Sequence, residues 1–381
     1  MNLFEILTKT VNLYPDKIAL IINEKKYSYT EIFHEVKVLA DEFSRLGLSK
    51  KNVGIVYGNS LEFILTLIAL SKIDSTIFLL NPLNYLNDFK IEKELNIEIL
   101  LIEKKWNSLI KISNEYRLDY EVNLNNAVVK YYQSSHKKYG IGIIQSSSGS
   151  TGKPKYAFRT YENILEDLGN INQTFMYDYK DMIYSPVPLC HGYGLTMGLL
   201  SSIYSGSSLV LAEDCSLVQF RNIHRFNKIS IYLLIPDMLE LLNNHCDDLN
   251  NYFNDSRIIF CSGEPLQQEI GEKFYQSINK NIVQLYGMME VSTIAANYPS
   301  NKLFRNCVGT NVKGVKVKID EHSGELLVSS KTISPFYVSP YRRIEKVDGK
   351  WFRTGDLAEF NESGELCLKG RIRNEININV K

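Results

Sequence analysis

Serine, threonine, glycine and lysine side chains are concentrated in one short segment of the sequence, residues 146–155. Gly149 and Gly152 allow the backbone to turn tightly and to direct several N–H groups at one point, while hydroxyl groups and Lys153 add donors and positive charge. These are the properties that a polyphosphate site requires. The residues of this candidate phosphate-binding loop are Ser147, Ser148, Gly149, Ser150, Thr151, Gly152 and Lys153.

The spacing of the glycines distinguishes this loop from other nucleotide and hydrolase motifs. Two residues separate Gly149 from Gly152, whereas a Walker A loop has four residues between its glycines and a Ser or Thr after its lysine. Pro154 follows the lysine instead, and proline blocks the helix that carries a P-loop's phosphate site. A kinase or P-loop ATPase is therefore disfavoured, and the lack of Gly-x-Ser-x-Gly disfavours a serine hydrolase. A Ser/Gly surface linker remains the alternative, but the strand pattern at residues 140–144 argues against it.

The bulk composition is that of a globular protein without excess charge. The 381 residues are 44% hydrophobic and 23% charged, and 43 Lys and Arg balance 43 Asp and Glu. No basic stripe is present, so a nucleic-acid partner is not expected. The most apolar stretch, residues 61–80, contains Glu62, Lys72 and Asp74, so a membrane span is not expected.

The cysteines lie far apart and form no Cys-x-x-Cys pair. This spacing favours neither a zinc site nor a disulfide framework, so a reducing, cytoplasmic location is expected. The six cysteines are Cys190, Cys215, Cys246, Cys261, Cys307 and Cys367.

Helix and strand patterns alternate up to about residue 304. Residues 29–46 predict an amphipathic helix that ends at Gly47, and residues 53–57 predict the next buried strand. Such alternation predicts an α/β fold of layered sheets covered by helices on both faces. Beyond residue 305, the strict alternation at residues 315–319 predicts a small antiparallel β-barrel-like subdomain. The expected division is an α/β core with two sheet subdomains at 1–304, the barrel-like subdomain at 305–370 and a hinge remnant at 371–381.

Several further segments occur in an order and at a spacing that identify a superfamily. The loop matches nine of ten positions of Ser/Thr-Ser-Gly-Ser/Thr-Thr-Gly-x-Pro-Lys-Gly, with Tyr156 in place of the last glycine. The other segments are Tyr27–Glu31, Asn81-Pro82, Pro188–Gly194, Ser262–Leu266, Tyr286–Glu290, Trp351–Leu357 and Gly370-Arg371. Across nearly the whole chain they resemble the large N-terminal domain of the acyl-CoA synthetase, adenylation-domain and luciferase superfamily.

The resemblance implies a nucleotide site. Asp356 is expected to accept hydrogen bonds from the ribose hydroxyls, Arg371 to reach the ribose or phosphate, and the Tyr286 ring to lie against the adenine. Other implied nucleotide-binding residues are Gly263, Glu264, Pro265, Gly287, Met288 and Met289. As ordinary structural residues, Asp356 would instead cap a turn and Tyr286 would belong to the core.

The resemblance also implies a metal site and an acid pocket. Glu290 and Thr151 are the candidate Mg²⁺ ligands, since Mg²⁺ prefers hard oxygen ligands and substrate phosphates. Thr151, Lys153 and Glu290 are the implied catalytic residues. The acid pocket is expected at His191, Tyr193 and Gly194, and the hinge at Arg373. Glu290 could otherwise begin a helix, and His191 could be a core histidine.

The implied activity is ATP-dependent adenylation of a small carboxylic acid. A carboxylate oxygen attacks the α-phosphorus, pyrophosphate leaves, and Mg²⁺ with the loop neutralises the growing charge. Coenzyme A or a carrier-protein thiol would then accept the acyl group. An acyl or aryl acid is expected, because the pocket segment lacks the Phe-Asp pair of amino-acid-activating relatives. The alternative is a module that binds ATP, AMP or an acyl-adenylate without turnover, favoured by Met289 where the family usually has Thr.

Members of the superfamily carry a small C-terminal lid domain after the hinge. The chain ends at Lys381, and Val380 stands where a glycine after the hinge is usual. The expectation from sequence is therefore that the lid is absent, that adenylation is slowed, and that thioester formation is not completed.

Overall fold

A computed structural model describes most of the chain. The described residues are 1–85, 94–107, 118–124, 126–132, 139–147, 155–246, 248–299, 307–339, 342–344 and 346–372.

Twenty-three strands occur within these residues. In chain order they are β1 (Ile18–Ile22), β2 (Lys25–Ser28), β3 (Asn52–Val56), β4 (Thr76–Leu80), β5 (Ile99–Glu103), β6 (Leu118–Asn123), β7 (Ala127–Tyr132), β8 (Gly142–Ser147), β9 (Lys155–Thr160), β10 (Met182–Ser185), β11 (Ser208–Leu211), β12 (Ile231–Leu234), β13 (Ile258–Cys261), β14 (Ile282–Met288), β15 (Ser292–Ala296), β16 (Cys307–Asn311), β17 (Lys316–Ile319), β18 (Glu325–Ser329), β19 (Phe336–Ser339), β20 (Arg342–Arg343), β21 (Lys346–Val347), β22 (Trp351–Phe360) and β23 (Leu366–Arg371).

The helices lie mainly between strands of the first 280 residues. They are α1 (Leu3–Leu13), α2 (Tyr29–Arg45), α3 (Leu61–Lys72), α4 (Pro82–Tyr85), α5 (Lys104–Asn107), α6 (Tyr161–Phe175), a π-helix (Tyr193–Leu200), α7 (Ser201–Ser205), α8 (Leu217–Phe226), α9 (Pro236–His245), α10 (Leu249–Phe253) and α11 (Gln268–Ile278).

The larger sheet joins a parallel half to an antiparallel half. Its strand order is β17-β18-β22-β23-β16-β15-β14-β13-β12-β10-β11-β1-β2, and β21 pairs with β22. The parallel half consists of β14, β13, β12, β10, β11 and β1. The antiparallel half begins where β15 pairs with β14 and β16 pairs with β15.

The smaller sheet has the order β20-β19-β9-β8-β4-β3-β5-β7-β6. Its centre, β8-β4-β3-β5, is parallel, and antiparallel strands flank it on both sides. The long-range pairing of β19 with β9 brings residues 336–339 beside the strand that follows the phosphate-binding loop.

The described residues form three apolar cores between and outside the sheets, and alternate strand residues face different cores. In β4, Ile77 and Leu79 face a shared core that also contains residues of α1–α3, α6 and the π-helix, while Phe78 faces an outer core. In β12, Tyr232 faces another outer core, which α8–α11 cover. Helices therefore cover both faces of the larger sheet, which confirms the expected mixed α/β class.

The strands beyond residue 305 are antiparallel, as the alternation predicts. Six of them, β16–β18 and β21–β23, continue the larger sheet beyond β15, whereas β19 and β20 join the smaller sheet beside β9. No pairing among the described residues closes these strands into a barrel. The division of the chain at residue 304 stays a prediction.

The cysteine spacing does not favour disulfides, and this expectation is wrong for one pair of cysteines. Cys307 in β16 lies opposite Cys367 in β23, with their Cα atoms 4.0 Å apart, and the two form a disulfide. They are 60 residues apart in the sequence, so only the strand pairing brings them together. Cys190, Cys215, Cys246 and Cys261 are free thiols.

Candidate nucleotide and acid site

The candidate phosphate-binding loop connects two paired strands. In the antiparallel pair β8–β9, Ser147 is opposite Lys155, and residues 148–154 between them lie outside the described residues. A strand, rather than a helix, begins at Lys155, as Pro154 predicts. The roles expected of Ser148, Gly149, Ser150, Thr151, Gly152 and Lys153, and of Arg373, therefore stay predictions.

Three of the implied nucleotide-binding residues form a hydrogen-bonded cluster. The Tyr286 hydroxyl donates to Oδ2 of Asp356 at 2.5 Å, and Nε of Arg371 donates to Oδ1 at 2.9 Å. Asp356 is 6% exposed and lies opposite Arg371 in the β22–β23 pair. Burial, followed by the adjacent Asp356 carboxylate, raises the pKa of Tyr286, so this phenol stays protonated and remains a donor.

The Asp356 carboxylate keeps acceptor capacity for a further ligand. A carboxylate offers about four lone-pair positions on its two oxygens. Tyr286 and Arg371 each use one, and the backbone N–H of Asp356 is bonded separately to Thr354 at 3.1 Å. Such a group can accept hydrogen bonds from a pair of vicinal hydroxyls.

The segment at Gly263 lies beside the strand that carries Tyr286. Ser262 follows β13, and its hydroxyl donates to the carbonyl of Leu285 at 3.1 Å. Gly263 has a φ of +101°, a backbone conformation that L side chains rarely adopt. Glu264 and Pro265 are exposed. Gly287 lies close to the backbone of Ser292, because a Cβ at position 287 would be 2.5 Å from the carbonyl oxygen of Ser292.

Glu290 lies in the turn between β14 and β15. Its carboxylate oxygen Oε1 accepts a hydrogen bond from the Tyr337 hydroxyl at 2.6 Å, and its backbone carbonyl accepts one from the N–H of Ser334 at 2.8 Å. No donor in the described parts of the chain reaches Oε2. The side chain is 7% exposed.

A hard cation would find a suitable ligand in this carboxylate. Within the described residues, no group of three or more His, Cys, Asp or Glu could hold a metal ion. Mg²⁺ does not require such a group when one carboxylate and the substrate phosphates supply its ligands. The donor chemistry of Glu290 therefore fits Mg²⁺ bound together with a nucleotide.

The implied acid-pocket residues lie at the start of the π-helix. His191 Nε2 is 3.2 Å from Nδ2 of Asn81, and burial lowers the pKa of His191, which favours the neutral imidazole. The Tyr193 hydroxyl donates to the carbonyl of Leu234 at 3.3 Å. Gly194 is required sterically, since a Cβ would be 2.6 Å from a backbone carbonyl oxygen.

The π-helix contacts β9, which follows the phosphate-binding loop, and β15, which follows the turn at Glu290. Arg159 of β9 donates to the Thr196 hydroxyl at 3.3 Å, and Thr293 of β15 contacts the sulfur of Met197 at 3.7 Å. The strand after the loop, the π-helix and the strand that follows the Glu290 turn are therefore neighbours.

The structure adds residues that sequence reasoning did not single out. Tyr337 and Arg159 both contact these segments, yet neither belongs to a local motif. Tyr156, which departs from the superfamily pattern, is 3% exposed and packs with an outer core of the smaller sheet. Met289 packs partly against the shared core, and its effect on activity stays a prediction.

Comparisons with known proteins identify the family of the chain. The family described as AMP-binding enzyme matches residues 7–338. A 2-succinylbenzoate–CoA ligase from Listeria monocytogenes serotype 4b (strain F2365) is 29% identical over 388 residues, covering 96% of this chain and 78% of the ligase.

Two solved structures share the fold. An O-succinylbenzoate coenzyme A synthetase from Bacillus subtilis in complex with AMP superposes with a TM-score of 0.77 at 20% identity, covering 97% of this chain and 98% of the other. An anthranilate CoA ligase in complex with anthranoyl-AMP superposes with a TM-score of 0.79 at 19% identity, covering 97% of this chain and 78% of the other.

The fold and these matches define a ligase of the adenylate-forming class. The chain belongs to the AMP-binding enzyme family. Among its described helices, none is long and apolar enough to cross a membrane.

Proposed function

We propose that the chain catalyses adenylation of a small carboxylic acid by Mg·ATP, releasing pyrophosphate and forming an acyl-adenylate. The observation that carries the proposal is the Tyr286–Asp356–Arg371 cluster, a buried carboxylate that has two fixed donors and free acceptor positions. Asp356 binds the ribose hydroxyls, and Arg371 lies beside it to contact the ribose or the α-phosphate.

The chain's own residues act by position and charge in this reaction. Residues 147–153 hold the phosphates, and Glu290 with Thr151 binds Mg²⁺, which when present neutralises charge on the phosphates. His191, Tyr193 and Gly194 border the acid. No nucleophilic side chain is needed, because the substrate carboxylate attacks the phosphorus directly.

The acid is proposed to be aryl, with an acyl acid as the second possibility. The relatives support this choice, because they are named for 2-succinylbenzoate and anthranilate. Burial lowers the pKa of His191, and this agrees with the choice, since a neutral imidazole can border an aromatic ring without burying a charge. Coenzyme A is the proposed thiol acceptor, and a carrier-protein thiol is the alternative.

The test is ATP–pyrophosphate exchange with a panel of acids that contains benzoates, cinnamates and short fatty acids. Exchange that depends on one acid class supports adenylation and identifies the substrate. Thioester formation is then followed with coenzyme A and, separately, with a carrier protein.

Calorimetric titration with AMP on the same sample separates the two candidate functions. A folded chain that binds AMP but gives no exchange with any acid would be a binding module without turnover. A folded chain that binds neither AMP nor ATP would contradict both functions.

A further inference from the structure

The segment at residues 334–337 holds Glu290 at two points. The Ser334 N–H donates to the backbone carbonyl of Glu290 at 2.8 Å, and the Tyr337 hydroxyl donates to its carboxylate oxygen Oε1 at 2.6 Å. Glu290 and Tyr337 are 7% and 6% exposed. Glu290 lies in a turn, so strand pairing does not by itself fix its side chain.

We propose that Tyr337 is the positioning residue for the Glu290 carboxylate in metal binding. Its hydroxyl fixes Oε1 and thereby directs the second oxygen, Oε2, as the ligand atom. A buried carboxylate requires a donor, and a hydroxyl that donates to a charged oxygen makes a short, strong hydrogen bond. This inference rests on the proposed function, because it takes the ion to be the divalent cation of a bound nucleotide.

The position of Tyr337 is in turn set by the strand that follows the phosphate-binding loop. Tyr337 pairs with Ala157 in the β9–β19 register. The ammonium of Lys155, the first residue of β9, lies 5.8 Å from the centroid of the Tyr337 ring, within the range of a cation–π contact. One aromatic side chain therefore contacts both Glu290 and the first residue of β9, the strand that follows the loop.

The proposal differs from two other roles that the same contact could have. A purely structural Tyr337 would stabilise the fold without affecting the metal. A blocking Tyr337 would compete with the metal for the carboxylate, and its removal would then tighten metal binding.

The test replaces Tyr337 by Phe, which removes the hydroxyl and keeps the ring beside Lys155. Mn²⁺ is the probe, because electron paramagnetic resonance measures its free concentration in the presence of α,β-methylene-ATP. We expect Tyr337→Phe to weaken Mn²⁺ binding at least tenfold, which corresponds to about 1.4 kcal/mol. The affinity for AMP without metal should change less than twofold, since the ribose cluster at Asp356 is untouched.

Tyr232→Phe is the matched control. Tyr232 is also buried, and its hydroxyl also donates at 2.6 Å, but to the backbone carbonyl of Tyr252 in the layer of α8–α11. Melting temperatures of the two variants show how much of any effect is general destabilisation. Equal Mn²⁺ affinity in Tyr337→Phe and the control would overturn the proposal, and so would tighter binding in Tyr337→Phe.

A double-mutant cycle separates positioning from an independent contribution. If Tyr337 acts through Glu290, Tyr337→Phe should have no further effect on Mn²⁺ binding in the Glu290→Gln background. Additive losses would contradict the inference.

The outcome is distinguishable from failure of the proposed function. If the wild type binds Mn²⁺ and Tyr337→Phe weakens it, but no acid supports exchange, the proposed function fails and the inference stands. If exchange is normal but Mn²⁺ binding is unchanged by Tyr337→Phe, or if the wild type binds no Mn²⁺ at all, the inference fails.

Discussion

Replacing Asp356 by Asn tests the ribose site with little change of shape. The amide can still satisfy both existing partners, because its oxygen can accept from Arg371 and its NH₂ can donate to the Tyr286 hydroxyl. The variant should therefore fold. What it loses is the negative charge at the acceptor positions that the carboxylate offers to the ribose.

The expected loss of affinity follows from the hydrogen bonds to that charge. A hydrogen bond to a charged group contributes about 1.5–3 kcal/mol and a neutral one about 0.5–1.5 kcal/mol, so the change costs about 1 kcal/mol for each ribose hydroxyl. Two hydroxyls give about 2 kcal/mol, which is a factor of about 30 in the dissociation constant. AMP and ATP should be affected equally, because they share the ribose.

Isothermal titration calorimetry with AMP, ATP and 2′-deoxy-AMP measures this prediction. The wild type should bind 2′-deoxy-AMP more weakly than AMP, and Asp356→Asn should discriminate less between the two. Glu359→Gln is the control, because Glu359 lies on the same strand and forms an exposed ion pair with Lys369 of β23. AMP affinity within twofold of wild type in Asp356→Asn, or equal losses in the control, would refute the ribose assignment.

Three further predictions concern stability and the acid pocket. Burial alone would raise the pKa of Asp181, but hydrogen bonds, chiefly from Arg257, outweigh burial and lower the pKa. The ionised Asp181 therefore stabilises the folded state above about pH 4, and this contribution is lost as the pH falls through the pKa of the folded state. Asp181→Asn should thus cost about 2 kcal/mol at pH 7 by denaturant unfolding and progressively less below pH 4; a constant difference would contradict this. Gly194→Ala should destabilise by about 1–3 kcal/mol because its Cβ would clash with backbone, whereas Gly192→Ala, where no atom lies within 4 Å, should show no such clash; equal melting temperatures would refute it. Because burial lowers the pKa of His191, NMR should show the imidazole titrating below its usual range. His191→Ala should change the KM for the acid more than the KM for ATP; a larger change in the KM for ATP would contradict the assignment of His191 to the acid pocket.

Elements with local signals were predictable from the sequence. Helix α2 begins after Ser28, whose side chain and that of Glu31 form a reciprocal capping box, and Gly47 follows its end with a φ of +78°. The strand predicted at residues 53–57 is β3, Asn52–Val56, which differs by one residue at each end. In each case residues close together in the sequence determine both the type of element and where it begins and ends.

The hairpin of β1 and β2 was not predictable in the same way. Its turn is formed by Asn23 and Glu24, which have φ values of 48° and 64°. Two-residue hairpin turns of this kind usually show Asn-Gly or Asp-Gly, and Glu at the second position removes that signal. Here the pairing of β1 with β11 in the larger sheet supports a turn that local preference disfavours.

The side-chain partners of the site were beyond the motifs for a different reason. Tyr337 is 47 residues from Glu290 in the sequence, and Cys307 is 60 residues from Cys367. Each contact depends on a strand pairing between distant segments, and a periodicity within one segment carries no information about its register with another. The motifs therefore indicated residues such as Glu290, while the structure was needed to find what holds them.

A buried ion pair shows what such long-range contacts contribute. Arg159 of β9 donates to Asp167 of α6 at 2.9 Å, and both side chains are almost completely buried. Desolvation offsets most of the attraction in such a pair, and burial indeed raises the pKa of Asp167 despite the arginine beside it. Apolar side chains of similar volume could give equal stability, but their contacts would not fix the relative orientation of the segments. Because Arg159 also donates to the Thr196 hydroxyl of the π-helix, its two hydrogen bonds link β9, the strand that follows the loop, to α6 and to the π-helix. A directional contact therefore holds β9 beside the π-helix, and the proposed reaction requires that kind of restraint, because it depends on placing a carboxylate oxygen in line with a phosphorus atom.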